Sequence, residues 1–235
     1  MYRKVLITII LCICFSKSAI AKKDWSYSGE TGPEYWSQIK PAYTLCAEGH
    51  KQSPVNFNNP TFSPSLPFTY HYIPSYYNIQ RRDYTFEVGI SSDEHFNYVL
   101  IDDSKYFLKQ IHFNAPSEHT INGNFHPMEA HFIHQNSEKE YAILSIFFTL
   151  GDSHRLLKKI WESNEKTGIV VLKINDFFPE HLNNIAYVGS LTTPPCTENV
   201  KWYVFEEPLQ LSTKQLDYYR GIFPQNNRPI QRQLP

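Results

Sequence analysis

From Pro67 onward the chain runs as short apolar and aromatic stretches, each bounded by Asn, Asp, Gly, Pro or Ser. Runs of this length and composition predict strands. They fall at Phe68 to Tyr72, Tyr84 to Ile90, Phe96 to Ile101, Tyr106 to Asn114, Met128 to His134, Tyr141 to Leu150, Gly168 to Ile174, Ile185 to Gly189 and Val200 to Glu206. Tyr141 to Leu150 is almost continuously apolar, the pattern of a central strand covered on both faces. Two stretches carry helical spacing instead. One follows Asp152 or Ser153 as cap and runs to Glu162, with Leu156, Leu157, Ile160 and Trp161 on one face. The other follows Ser212 and runs to Phe223, with Leu216, Tyr219 and Phe223 inward. Residues 22 to 60 have no clear period and read as loop and short turns laid over a core. The expected fold is therefore mainly β: a single domain with a large, twisted, mostly antiparallel central sheet and a few short helices.

Composition supports one globular unit. No Gly/Ser-rich or single-charge linker divides the 235 residues, and 41% are hydrophobic, enough for a sizeable core. A net charge of −1 leaves no electrostatic footprint for nucleic acid.

The first residues read as an address rather than as fold. Arg3 and Lys4 precede an apolar run, Val5 to Phe15, too short to span a bilayer. Ala19-Ile20-Ala21 then fits the small-x-small cleavage pattern. Residues 1–21 are expected to be a signal peptide, leaving a 22–235 domain with no membrane anchor; a retained anchor is the alternative. Cleavage removes Arg3, Lys4 and Lys17 and no acid, so the net charge falls to −4. Of the four cysteines, Cys46 and Cys196 remain. In an oxidising compartment such a pair forms a disulfide, closing a loop that the chain-entropy relation values at roughly 4–5 kcal/mol; two buried thiols are the alternative. Export implies the periplasm if the cell has an outer membrane.

Candidate chemistry lies in two strands. Residues two apart share a strand face, so Gln110, His112 and Asn114 point one way, as do Glu129, His131 and Ile133. Neighbouring strands are about 4.8 Å apart, close enough for the two rows to converge on one metal ion. Gln110 and Glu129, each two residues before a His, can accept the imidazole N–H that faces away from the ion. Spacing alone also suits ordinary half-buried histidines.

A loop alters that balance. Gly189-Ser190-Leu191-Thr192-Thr193-Pro194-Pro195 resembles a loop of the α-class carbonic anhydrases, as Gln110-Ile111-His112 and Pro127-Met128-Glu129-Ala130-His131 resemble their zinc-ligand strands. Similar matches occur at Trp25-Ser26-Tyr27, Gly32-Pro33, Trp36, Gln52-Ser53-Pro54-Val55, Val200-Lys201-Trp202 and Asn227-Arg228-Pro229, in matching order from Trp25 to the C-terminal end. Ala115-Pro116-Ser117-Glu118-His119 is closest to bacterial members, in which a disulfide of the Cys46–Cys196 spacing occurs.

The resemblance implies a Zn2+ cofactor, carbon dioxide and bicarbonate as substrate and product, and a role for each matching residue. His112 and His131 match two zinc ligands, and Gln110 and Glu129 match the residues that orient them. Thr192 matches the threonine that orients the zinc-bound hydroxide, and Glu118 the carboxylate that accepts its proton. Ile133, Ile143, Leu191, Thr193 and Trp202 match the substrate pocket. Zinc would ionise a bound water, and the hydroxide would attack carbon dioxide.

Two positions depart from the family. Asn114 stands at the third metal position, where the family has His. A carboxamide offers an oxygen that binds zinc poorly beside imidazole. Tyr84 stands where fast members carry a proton-shuttling His; a phenol titrating near 10 exchanges protons poorly at neutral pH. The expectations are thus a zinc-dependent carbonate dehydratase slowed by Asn114, a non-catalytic binding protein of the same family, or a zinc-holding protein.

Overall fold

A computed structural model describes residues 24–90, 96–164 and 168–233. The signal-peptide reading falls outside these residues. Along the chain come α1 (Trp36–Ile39), α2 (Leu45–Glu48), β1 (Asn56–Phe57), β2 (Thr69–His71), β3 (Ser75–Arg81), β4 (Phe86–Ile90), β5 (Tyr98–Ile101), β6 (Ser104–Asn114), β7 (Thr120–Ile121) and β8 (Asn124–Phe125). They are followed by β9 (Met128–Gln135), β10 (Tyr141–Leu150), α3 (Arg155–Asn164), β11 (Ile169–Leu172), β12 (Asn184–Ser190), β13 (Glu198–Phe205), β14 (Leu209–Leu211) and α4 (Thr213–Ile222).

Eleven strands form one large sheet in the order β11-β3-β4-β6-β9-β10-β13-β12, with β5 on β6, β2 on β5 and β14 on β10. Most pairings are antiparallel, but β10 runs parallel to both β13 and β14. β9 and β10 are the buried centre of the sheet, as the apolar run at Tyr141–Leu150 predicts. The sheet divides two apolar regions. Ile111, Phe113, Ala130, Phe132, Leu144 and Ile146 face a large core that α3 and α4 cover. The opposite face carries a smaller cluster of Ile133, Ile143, Val200 and Trp202.

Several details differ from the sequence reading, among them the two- and three-residue strands β1, β7, β8 and β14, too short to show a pattern. Strand β3 was missed, because Tyr76, Asn78 and Gln80 interrupt its apolar pattern. α3 begins at Arg155, after the expected caps Asp152 and Ser153. The Leu157 N–H instead donates to His154 Nδ1 at 3.5 Å, so the imidazole stands at the helix start. Ser212 does cap α4, in a reciprocal capping box with Gln215. Residues 24–60 hold only single-turn helices and β1. They are tied down by the Cys46–Cys196 disulfide and by a buried aromatic group of Trp25, Trp36 and Tyr43.

Candidate metal centre

β6 and β9 pair antiparallel with His112 directly opposite His131 and Asn114 opposite Glu129. A register irregularity between Leu108 and Gln110 precedes this stretch. It leaves Ile111 and Phe113 in the large core, while Gln110, His112 and Asn114 line a cavity on the other face. On β9 the same alternation sends Ala130 and Phe132 to the large core and Ile133 to the opposite cluster.

The imidazoles meet where the pattern predicts. His131 Nδ1 and His112 Nε2 are 3.2 Å apart. Two nitrogens each about 2.05 Å from a tetrahedral zinc ion are about 3.3 Å apart, so this pair fits a shared ion. Glu129 fixes which nitrogen of His131 faces it. Glu129 Oε1 accepts from His131 Nε2 at 2.8 Å, from His119 Nδ1 at 2.7 Å and from Ser145 Oγ at 2.5 Å. Its Oε2 accepts the backbone N–H groups of Glu118 and His119. Burial alone would raise the pKa of this carboxyl, but His119 and His131 with their hydrogen bonds take it well below the usual carboxylate range. His119, Glu129 and His131 also have ligand atoms within 4.8 Å of one another. An ion there would displace the donors that Glu129 Oε1 already holds, so the fitting position is on the His112 side.

Asn114 occupies the third position without filling it. Its Nδ2 donates to the Asn226 carbonyl at 2.6 Å. Its Oδ1 is buried and has no hydrogen-bond partner among the described residues. The donor set therefore fits a divalent ion through two imidazole nitrogens and departs from a three-nitrogen set at Asn114.

Glu118 lies behind the pair, its Oε2 at 3.7 Å from His131 Nδ1. Its Oε1 accepts the Arg228 N–H at 2.8 Å. Burial pushes its pKa up to about 8, against the lowering effects of that N–H and of the Thr192 hydroxyl. The buried Arg228 guanidinium donates to Gln52 Oε1, Ser53 O and Cys46 O, joining the disulfide segment to this wall. Trp202 Nε1 donates to Ser190 O at 3.0 Å, which ties the Thr192 loop to β13.

The cavity measures about 70 Å³, room for a few water molecules. Trp25, Tyr27, Arg82, Tyr84, Thr85 and Glu87 narrow it, with Thr193 beside Gln110 and His112. Arg82 Nη2 pairs with Glu87 Oε1 at 2.7 Å. Tyr84 donates to Trp25 O at 3.1 Å and stacks on that indole. Burial, with the charge of Asp83, raises its pKa further above 10, so it keeps its proton at neutral pH. Of the residues expected in the substrate pocket only Thr193 lines this cavity; Ile133, Ile143 and Trp202 pack with Val200 in a separate apolar cluster, and Leu191 lies against them.

Sequence reasoning missed several participants. His119 follows Glu118 directly, and that adjacency was the available signal; its Nε2 lies 2.6 Å from Tyr187 Oη. Val200, Tyr141 and Tyr187 complete the apolar wall. Asn226 carries no pattern of its own. His126, two residues before the start of β9, stacks on Phe147 at 4.3 Å and is absent from the cavity lining, so it does not replace the third ligand.

The sequence model of the family described as eukaryotic-type carbonic anhydrase matches residues 31–234. The carbonic anhydrase of Neisseria gonorrhoeae is 34% identical over 97% of this chain and 93% of its own length. That of Pectobacterium atrosepticum is 32% identical over 97% and 95%. The α-carbonic anhydrase of Thermovibrio ammonificans, solved with the inhibitor sulfanilamide, superposes with a TM-score of 0.82 at 36% identity, covering 89% of this chain and 95% of that one. On sequence, length and fold together, this chain belongs to the α-class carbonic anhydrase family of carbonate dehydratases.

Proposed function

We propose that the protein catalyses the zinc-dependent, reversible hydration of carbon dioxide to bicarbonate and a proton, at a rate held down by Asn114. The observation that carries this reading is the 3.2 Å approach of His112 Nε2 and His131 Nδ1 beside the apolar Ile133–Trp202 wall. Zinc held there supplies Lewis acidity, making water a nucleophile near neutral pH.

The chain's own residues do the rest. Glu129 takes the Nε2 proton side of His131 and leaves its Nδ1 lone pair for the ion. Gln110 is assigned the same orienting role toward His112. Thr192 gives its one hydroxyl proton to ionised Glu118, the form that the Arg228 N–H and this hydroxyl favour against burial, so its oxygen is left to accept a proton from the attacking oxygen and hold it in line. Ile133, Ile143, Leu191 and Trp202 receive the uncharged substrate and exclude water, with Thr193 at the cavity edge. Tyr84 does not export the proton, so its release to bulk water limits turnover.

Export with cleavage after Ala21, a 22–235 domain and a periplasmic location complete the proposal. The Cys46–Cys196 disulfide supports an oxidising compartment. Among the described residues no helix is long and apolar enough to cross a membrane.

Asn114 favours a second reading, a non-catalytic family member that retains the fold as a binding module. Metal analysis of zinc-loaded protein, paired with stopped-flow hydration, separates the two. One zinc per chain and hydration blocked by sulfanilamide, the inhibitor bound by the Thermovibrio relative, support the enzyme. A metal-free site at background rates supports the binding module.

A further inference from the structure

Resting on the metal site proposed above, we propose that Asn114 holds a water molecule in place of the missing third imidazole, its amide oxygen acting as a fixed acceptor toward the ion.

The direction of the amide is set from behind. Asn114 Nδ2 donates to the Asn226 carbonyl at 2.6 Å. A flipped amide would press its oxygen against that carbonyl oxygen, so the network assigns the orientation. Asn226 is itself immobilised. Its Oδ1 accepts the Ala115 N–H at 2.9 Å, and its Nδ2 donates to Phe113 O at 2.8 Å and to Tyr84 O at 2.7 Å. The Asn114 oxygen therefore cannot turn to find a partner within its own strand.

That oxygen is the feature to be explained. Asn114 is 1% exposed, and its Oδ1 has no hydrogen-bond partner among the described residues. A buried acceptor left unpaired is costly and marks a place for a water or an ion. Asn114 lines the same cavity as His112, which has room for water. Glu118 Oε2 lies 3.7 Å from His131 Nδ1, on the side of the site that the Thr192 hydroxyl also reaches. The site thus presents two imidazole nitrogens and, at Asn114, one unsatisfied amide oxygen.

Reach decides between direct and water-mediated contact. The amide oxygen is two bonds from Cβ, whereas the far imidazole nitrogen is three. On a strand in register with β9, Asn114 ends short of the position that the third imidazole would fill. One water spans such a gap, donating to Oδ1 and turning its own oxygen to the ion.

The test uses the full chain loaded with zinc. A crystal structure is expected to show an ordered water between the ion and Asn114 Oδ1. Chelator competition is expected to show Asn114→Leu, similar in size but without an acceptor, binding zinc about 10–100-fold more weakly. Circular dichroism and thermal melting confirm that each variant is folded. Direct contact between Oδ1 and the ion, or unchanged affinity in folded Asn114→Leu, overturns the inference. His131→Ala tells that failure from failure of the underlying reading: if it too leaves affinity unchanged, the metal is not held where His112 and His131 meet.

Discussion

His112 Nε2 and His131 Nδ1 lie 3.2 Å apart on residues that are direct partners across the β6–β9 register. Strand pairing brings the two side chains together, and Glu129 fixes the orientation of the His131 ring. Replacing either by Ala removes one of two nitrogen donors. Zinc affinity is expected to fall by more than about 100-fold, beyond the 10–100-fold typical of losing an outer partner. Competition with a chromophoric chelator measures it; retention of zinc by both single variants would contradict the site.

Asn114→His is the complementary change. The Asn226 carbonyl that accepts from Asn114 Nδ2 can accept from the Nδ1–H of an imidazole, leaving Nε2 for the ion. The replacement therefore meets a ready partner in the wall behind it. Zinc affinity is expected to rise by about 100-fold or more, with a matching gain in hydration rate. No change in either would place the chemistry elsewhere.

The sequence made one half of this site legible and left the other half hidden, for a physical reason. Period-two alternation assigns faces, so Gln110, His112 and Asn114 could be grouped, as could Glu129, His131 and Ile133. Alternation says nothing about which residue lies opposite which, and the His112–His131 pairing waited for the register. Asn226 reaches Asn114 across 112 positions through a backbone carbonyl, a contact that no side-chain pattern records. His119 sits between strands, where periodicity is lost, although it shares Glu129 Oε1 with His131. The parallel placement of β13 against β10 was hidden too, because apolar runs carry no direction.

Glu129→Gln tests the acceptor role. The carboxylate takes donors at both oxygens, three of them at Oε1. A carboxamide must turn an NH2 toward either those donors or the two backbone N–H groups. Leaving buried donors unpaired is expected to cost about 3–5 kcal/mol of stability and about 10–100-fold in zinc affinity. Urea unfolding of the metal-free chain isolates the first effect. A midpoint unchanged from the parent would show that Glu129 does not hold these groups together.

The Cys46–Cys196 bridge spans 150 positions and joins α2 to the loop after Thr193. Cross-linking so long a loop restricts the unfolded chain, and removing it is expected to cost about 2–5 kcal/mol. Local order should suffer as well, because Cys196 N–H donates to Thr193 O and the Arg228 guanidinium donates to Cys46 O. The Cys46→Ala, Cys196→Ala double variant should therefore melt at lower temperature and hydrate carbon dioxide more slowly. A variant with unaltered melting would assign the bridge no stabilising role.

His134 makes stability depend on acid. It is fully buried on β9, its Nε2 lies 2.7 Å from Tyr72 Oη, and burial lowers its pKa from 6.5 to about 4. The unfolded chain takes up this proton near pH 6.5, whereas the folded chain resists until about pH 4. Its contribution to stability is therefore complete above pH 6.5 and is lost as the pH falls from there to about 4. The shift corresponds to about 3 kcal/mol as an upper figure. His154, also lowered to about 4, chiefly by burial, steepens the same window. Urea unfolding of metal-free protein at several pH values between 7 and 4.5 should show this slope. His134→Gln, which retains a polar group near Tyr72, should flatten it. An imidazole resonance of His134 titrating near 6.5 in the folded protein, or a variant slope equal to that of the parent, would rule the mechanism out.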